Sequence, residues 1–447
     1  MLALTWSVSG CAGGLGNSPP ANGPAGLRSS TFVGGPASSK ITHVVIIVQE
    51  NRSFDNLFQG YPDADTQSYG YTSTGQKVQL APISLSAPWD VDHSSKAFFA
   101  ACDGQGSIPG THCRMDGFDK EAASCQVPPE PRCPNKTPQY GYVPQSETKP
   151  YFAMAKQYVL ADKTFASNFD GSSFVAHQYL IAAQASSTVD FPLTYWGCDG
   201  GPKDTVGTIT QQRTYGGRIQ ACLDNSTLGD ELDSAGVSWK YYTASILGDG
   251  NLWNAYQAIK HIRYGPDWKT NVIDPQTRFF KDVKAGKLPA VSWVTPTCEN
   301  SDHSGCNTGH GPAWVASLVN AVGSSPYWDS TAIFVTWDDY GGWYDHVPPA
   351  FADYDGLGIR VPLLVISAYA KQNYVSHVHY EHGSIVRFVE DQFGLGRLAA
   401  SDARATSPEQ DCFDFSQAPR PFVPIPTKLN AAYFEREPLD PRPPDTE

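Results

Sequence analysis

No stretch of this 447-residue chain holds the roughly 18 consecutive apolar residues that a membrane-spanning helix needs, so none is expected. Positive charge is scarce as well. The chain has 32 Lys and Arg against 45 Asp and Glu, a formal net charge of −13, and no basic cluster stands out. That balance argues against a nucleic-acid partner. No CxxC pair occurs, which disfavours a structural zinc site. A GxSxG elbow, a Walker loop and a dinucleotide fingerprint are also missing. Serine-esterase, P-loop and nucleotide-cofactor chemistry therefore have no anchor in the sequence.

Core-forming material is plentiful. Hydrophobic residues make up 40% and aromatics 12%, enough for one large α/β domain or two smaller ones. The stretch VVIIVQENRSFDN (residues 44–56) drives a β-branched run straight into an acid, an amide and an arginine. Such continuous runs mark strands buried on both faces of a parallel sheet. LPAVSWVTP, TAIFVTW and VPLLVIS read as three further strands. Helices are expected over residues 149–165 and 173–186, the second opened by a serine able to cap it, and again in HGSIVRFVEDQFG. TLGDELDSAGVSWKYYT pairs a helix with a strand. This alternation predicts a wound α/β sheet.

The ends and the cysteines speak of export. LTWSVSGCAGG resembles the end of a bacterial lipoprotein signal whose start is cut short, with Cys11 as the lipidated residue and residues 1–11 as the signal. Residues 12–40, rich in Gly, Pro and Ser, read as a flexible tether. Eight cysteines fall into close neighbours: Cys102 with Cys113, Cys125 with Cys133, Cys198 with Cys222, and Cys298 with Cys306. Local bridges in loop-rich insertions suit an oxidising compartment, leaving Cys412 over. The catalytic domain is expected over 41–411, with 412–447 as a Pro-rich extended tail along the surface.

Polar clusters follow three of the strands. Glu50 and Asn51 end the first, CENSDHSG with His303 follows the second, and DDYGGWYDH supplies Asp338, Asp339, Asp345 and His346. Ligands bind at the carboxyl ends of strands in open α/β sheets. Carboxylates and an amide oxygen gathered there suit a hard cation. In NFDGSSFVAHQYL, Ser172 and Ser173 stand where a helix begins, a place that favours an anion such as phosphate. Either hydroxyl is a candidate nucleophile, most convincingly beside a metal.

Taken in order, IVQENRSFDNLFQGYP, DGSSFVAHQYL, TLGDELDSAGVSWKYY, VTWDDYGGWYDHVPP, GLGIRVPLLVISAYA and HGSIVRFVEDQFGL resemble the bacterial phosphoesterase family, over about residues 41–395. That family includes phosphatidylcholine-hydrolysing phospholipases C and bacterial acid phosphatases. The resemblance implies an alkaline phosphatase-like fold, a central, mostly parallel sheet flanked by helices. It implies Glu50 and Asn51, then Asp338 and Asp339, as metal ligands, and Ser173 as nucleophile with Ser172 in the place of the family's proline. Ala176 departs from the asparagine common there. His93, His303 and His346 match positions near the transferred phosphoryl group.

The expected function is thus an exported, metal-dependent phosphoric ester hydrolase working through a phosphoserine. Phosphomonoesters are the preferred substrate, with a phospholipase C and a non-catalytic surface binding protein as alternatives. All-oxygen ligation favours Ca²⁺, Mg²⁺ or Mn²⁺ over Zn²⁺. A Cys-x-Pro-x-Arg segment of the kind matured to formylglycine is missing, which disfavours sulfatase chemistry. A membrane would be met only through a lipid anchor at Cys11.

Overall fold

The computed structural model describes residues 40–127, 132–193, 197–247 and 253–438. The expected signal, Cys11 and nearly all of the tether lie outside the described residues. At the centre stands an eight-stranded sheet. Its strands in chain order are β1 (His43–Gln49), β2 (Val159–Ala161), β3 (Trp239–Tyr242), β4 (Val272–Ile273), β5 (Val291–Val294), β6 (Thr331–Trp337), β7 (Leu363–Ser367) and β8 (Tyr374–Ser376). In space they run β4-β3-β5-β1-β6-β7-β2-β8. Every pairing is parallel except the two made by β7.

The apolar run of β1 is explained by its place. It lies between β5 and β6, and its Val and Ile side chains are buried on both faces. Each such side chain contributes about 1.5–3 kcal/mol by leaving water. A charged residue at Ile46, which is registered against Trp293 and Phe334, would break the centre of the sheet.

The main helices are α1 (Lys149–Gln157), α2 (Ser173–Ala182), α3 (Leu228–Ser234), α4 (Gly311–Gly323) and α5 (His382–Phe393). Every residue of α2 is buried, so it has no solvent face and no amphipathic stripe. It stops at Ala183, whose φ of 53° is left-handed.

The helix expected over residues 149–165 is half helix. Its second part, from Val159, is β2, held between β7 and β8. Val159, Leu160 and Ala161 suit either element when short, and sheet pairing decides. The four cysteine pairs are bridged as the spacing suggested, and Cys412 is free and buried. The tail is largely exposed and extended up to about residue 429, and apolar groups anchor it at intervals. Phe422 packs against Trp328 with rings 4.9 Å apart, Ile425 is buried, and Phe434 meets Trp314 at 5.2 Å. These groups pin the tail against the core.

Candidate metal and phosphoryl site

Strands β1 and β6 are parallel neighbours with Gln49 registered against Trp337, so Glu50–Asn51 and Asp338–Asp339 leave the sheet at one level. The backbones stay joined beyond the strands: Asp338 N donates to Gln49 O at 3.0 Å, and Asn51 N donates to Asp338 Oδ1 at 3.0 Å. Asn51 sits at φ 59°, a left-handed conformation that Asn tolerates better than most residues. Gly341, at φ 61°, passes so close that a Cβ would stand 2.2 Å from Asn51 O. Only glycine fits there.

All four of these side chains are fully buried, and each leaves one oxygen with no hydrogen-bond partner: Glu50 Oε2, Asn51 Oδ1, Asp338 Oδ2 and Asp339 Oδ2. Buried carboxylates left unpaired cost several kcal/mol each, on the order seen for uncompensated ions. Burial and the charge of Asp338 push Glu50 well above its usual range, and the same two causes raise Asp339. Burial also pushes Asp338 up, but His177 and hydrogen bonds outweigh it and hold the carboxyl low. Glu50, Asp338 and His177 offer ligand atoms within 4.8 Å of one another, and the open oxygens of the three acids and the amide are of the kind a hard divalent cation takes.

Ser173 opens α2 beside these groups. Its hydroxyl interacts with the carboxylates of Glu50 and Asp338 and favours their charged forms. Ser172 faces elsewhere: its Oγ donates to Asp190 O at 3.0 Å and caps no helical N–H. Gly171 N donates to His93 O at 2.8 Å, and a Cβ at 171 would lie 2.4 Å from that oxygen. The glycine thus lets the entry to α2 rest on the His93 loop.

His93 Nδ1 donates to Val91 O at 2.7 Å, which leaves Nε2 to accept from Asn51 Nδ2 at 2.8 Å. This bond fixes the amide so that Oδ1 is the open atom. His303 donates from Nδ1 to Ser304 O at 2.6 Å, and its ring centroid lies 6.0 Å from that of His93. The two histidines and Asp90 could form a ligand group of their own, with donor atoms within 4.8 Å of one another.

His346 and Asp345 belong to a different cluster. His346 bonds Asp55 Oδ2 at 2.6 Å and Asp65 Oδ1 at 3.0 Å, while Arg360 grips both oxygens of Asp345 at 2.8 and 3.1 Å. Asp345 also accepts from the backbone N–H groups of Asp55 and Val347. These bonds tie the 338–347 loop to the segment after β1, and Asp55, Asp345 and His346 offer ligand atoms within 4.8 Å of one another, a group apart from that of Glu50 and Asp338.

Two histidines escaped the sequence reading. His177 Nε2 lies 3.1 Å from Glu50 Oε1, and His382 Nε2 donates to Trp337 O at 2.9 Å, just before Asp338. The signal for His177 was its place four residues after Ser173, on the same helical face.

Next to the serines, Asp170 is buried among Asp190 and Asp355, and burial followed by the charge of Asp190 pushes its pKa up to about 8. A carboxyl raised in the fold binds its proton more tightly there than in the unfolded chain. Its stabilising share is present below about pH 4 and is lost as pH rises to 8, at about 1.4 kcal/mol per pH unit. Asp170→Asn should remove one proton's worth of that slope, measured by denaturant unfolding between pH 5 and 8. An unchanged slope would mean that Asp170 stays ionised in the fold.

The chain is similar to several known proteins. Phospholipase C B of Mycobacterium tuberculosis is 27% identical over 89% of this chain and 83% of its own length. Non-specific phospholipase C6 of Arabidopsis thaliana is 25% identical over 84% and 74%. A solved member of the alkaline phosphatase superfamily from Vibrio parahaemolyticus covers 82% of the chain and 71% of its own, at 12% identity and a TM-score of 0.35. The Phosphoesterase family matches residues 41–396, a span that holds both strand-end pairs, the serines and the histidines described above. By that match the chain belongs to the phosphoesterase family and is a phosphoric ester hydrolase.

Proposed function

We propose that the hydrolysis runs through Ser173 as nucleophile, with a cation held by Glu50, Asn51, Asp338 and Asp339, and that the substrate is a phospholipid diester of the phosphatidylcholine type. The observation that carries the first part is the set of four buried, unpartnered oxygens with the Ser173 hydroxyl at their side. When bound, a divalent cation would neutralise phosphoryl charge and favour the serine alkoxide; Mg²⁺, Mn²⁺ or Ca²⁺ fits the oxygen donors best.

The protein's own residues supply the rest. His93 holds the Asn51 amide. Ser173 loses its proton and attacks phosphorus in line; the P–O bond to the diacylglycerol breaks and its oxygen takes up a proton; water then displaces the serine oxygen and frees the phosphorylated headgroup. We assign the proton transfer from that water to the histidine pair His93 and His303, whose ring centroids lie 6.0 Å apart.

The phospholipase names of the relatives support a diester over a phosphomonoester. The acidic net charge does not oppose this reading, because phosphatidylcholine is zwitterionic and carries no net charge to repel. A side-by-side assay on phosphatidylcholine vesicles and p-nitrophenyl phosphate, with and without chelator, is the test. Faster, chelator-sensitive release of phosphocholine is expected. Preference for the monoester would return the reading to an acid phosphatase, and activity indifferent to chelator would remove the metal from it.

A further inference from the structure

Helix α2 brings a second group to the carboxylates besides Ser173. His177 lies four residues on, on the same face, and is 1% exposed. Its Nε2 is 3.1 Å from Glu50 Oε1 and 3.7 Å from Asp338 Oδ2. The shorter contact is a hydrogen bond and the longer one is not. With Glu50 ionised, as a metal ligand must be, its oxygens can only accept, so the N–H then stands on Nε2 and points at Glu50. Nδ1 is buried without a partner.

Resting on the metal-dependent reading above, we infer that His177 is a positioning residue: its Nε2–H holds Glu50 Oε1 and leaves Oε2 as the oxygen turned toward the cation. The unpartnered state of Oε2 is what this arrangement produces. A neutral imidazole has one N–H, so the nitrogen that donates to Glu50 is not free to ligate. Metal-binding groups are commonly held in this way by a surrounding shell of hydrogen bonds. Because Ser173 and His177 share one helix face, one register of α2 sets both the nucleophile and the orientation of a ligand.

The test is calorimetric titration of Mn²⁺ into chelator-stripped wild-type protein and the variants His177→Ala, His177→Gln and His177→Asn, each checked for folding by circular dichroism and melting. His177→Ala is expected to bind Mn²⁺ about 10–100-fold more weakly. Glutamine, whose amide N–H reaches about as far as Nε2, should restore most of the affinity, whereas the shorter asparagine should not. If the alanine variant does not fold, the glutamine–asparagine contrast decides alone. Equal affinity in wild type and asparagine variant would overturn the inference. So would an imidazole nitrogen coupling in the electron spin echo of Mn²⁺-loaded wild type that vanishes in His177→Gln, since His177 would then be a ligand. A wild-type protein that binds no divalent cation defeats the metal reading itself and this inference with it, an outcome distinct from wild-type binding that survives every His177 variant.

Discussion

Ser173→Ala is expected to abolish turnover, by on the order of 10⁴–10⁶-fold, as removal of a covalent nucleophile does. Cation binding should persist, because the open oxygens belong to Glu50, Asn51, Asp338 and Asp339. Ser172→Ala should lose far less. Successive helical positions point about 100° apart, and the Ser172 hydroxyl already donates to Asp190 O. Losing that bond costs about 1 kcal/mol of stability and leaves the chemistry in place. Acid quench during turnover followed by peptide mapping should find phosphate on Ser173. Label on Ser172, or full activity in Ser173→Ala, would defeat the assignment.

Asp338→Asn is expected to weaken cation affinity by more than ~100-fold, with activity falling in step, since a ligand matters more than the groups that orient it. The substitution keeps the shape and an oxygen to accept from Asn51 N, but removes a negative charge. That charge is among the causes that raise Glu50 and Asp339. In chelator-stripped protein the variant should therefore melt no lower than wild type, while with the cation present it should melt lower. Metal analysis and paired melting curves give both readings. A folded, inactive variant with unchanged metal content would move Asp338 out of the coordinating set.

The strand ends were the most legible part of the sequence. A run such as VVIIV admits one environment, the middle of a parallel sheet, and the residue after it then stands at a known edge. Glu50, Asn51, Asp338 and Asp339 could be placed that way because β1 and β6 are long and apolar. The 149–165 segment could not, since three residues of strand following a helix look like one more helical turn until a partner strand claims them. His177 was hidden because α2 is apolar all round, and a histidine in such a helix reads as core. The partners of His346 were not legible either: Asp55 is 291 positions away along the chain and meets it only once the loop after β6 folds back onto the segment after β1.

The position of β1 has a consequence for the order of events during synthesis. This strand is made first, yet its neighbours β5 and β6 begin only about 240 residues and more after it ends. Until they emerge, the middle of the sheet has nothing to pair with, and closing so long a loop precedes any gain from pairing. The apolar anchors of the tail, Phe422 and Phe434, close on Trp328 and Trp314 later still. The middle of the sheet, and with it the pairing that sets Glu50 beside Asp338, is therefore among the last parts of the fold to close.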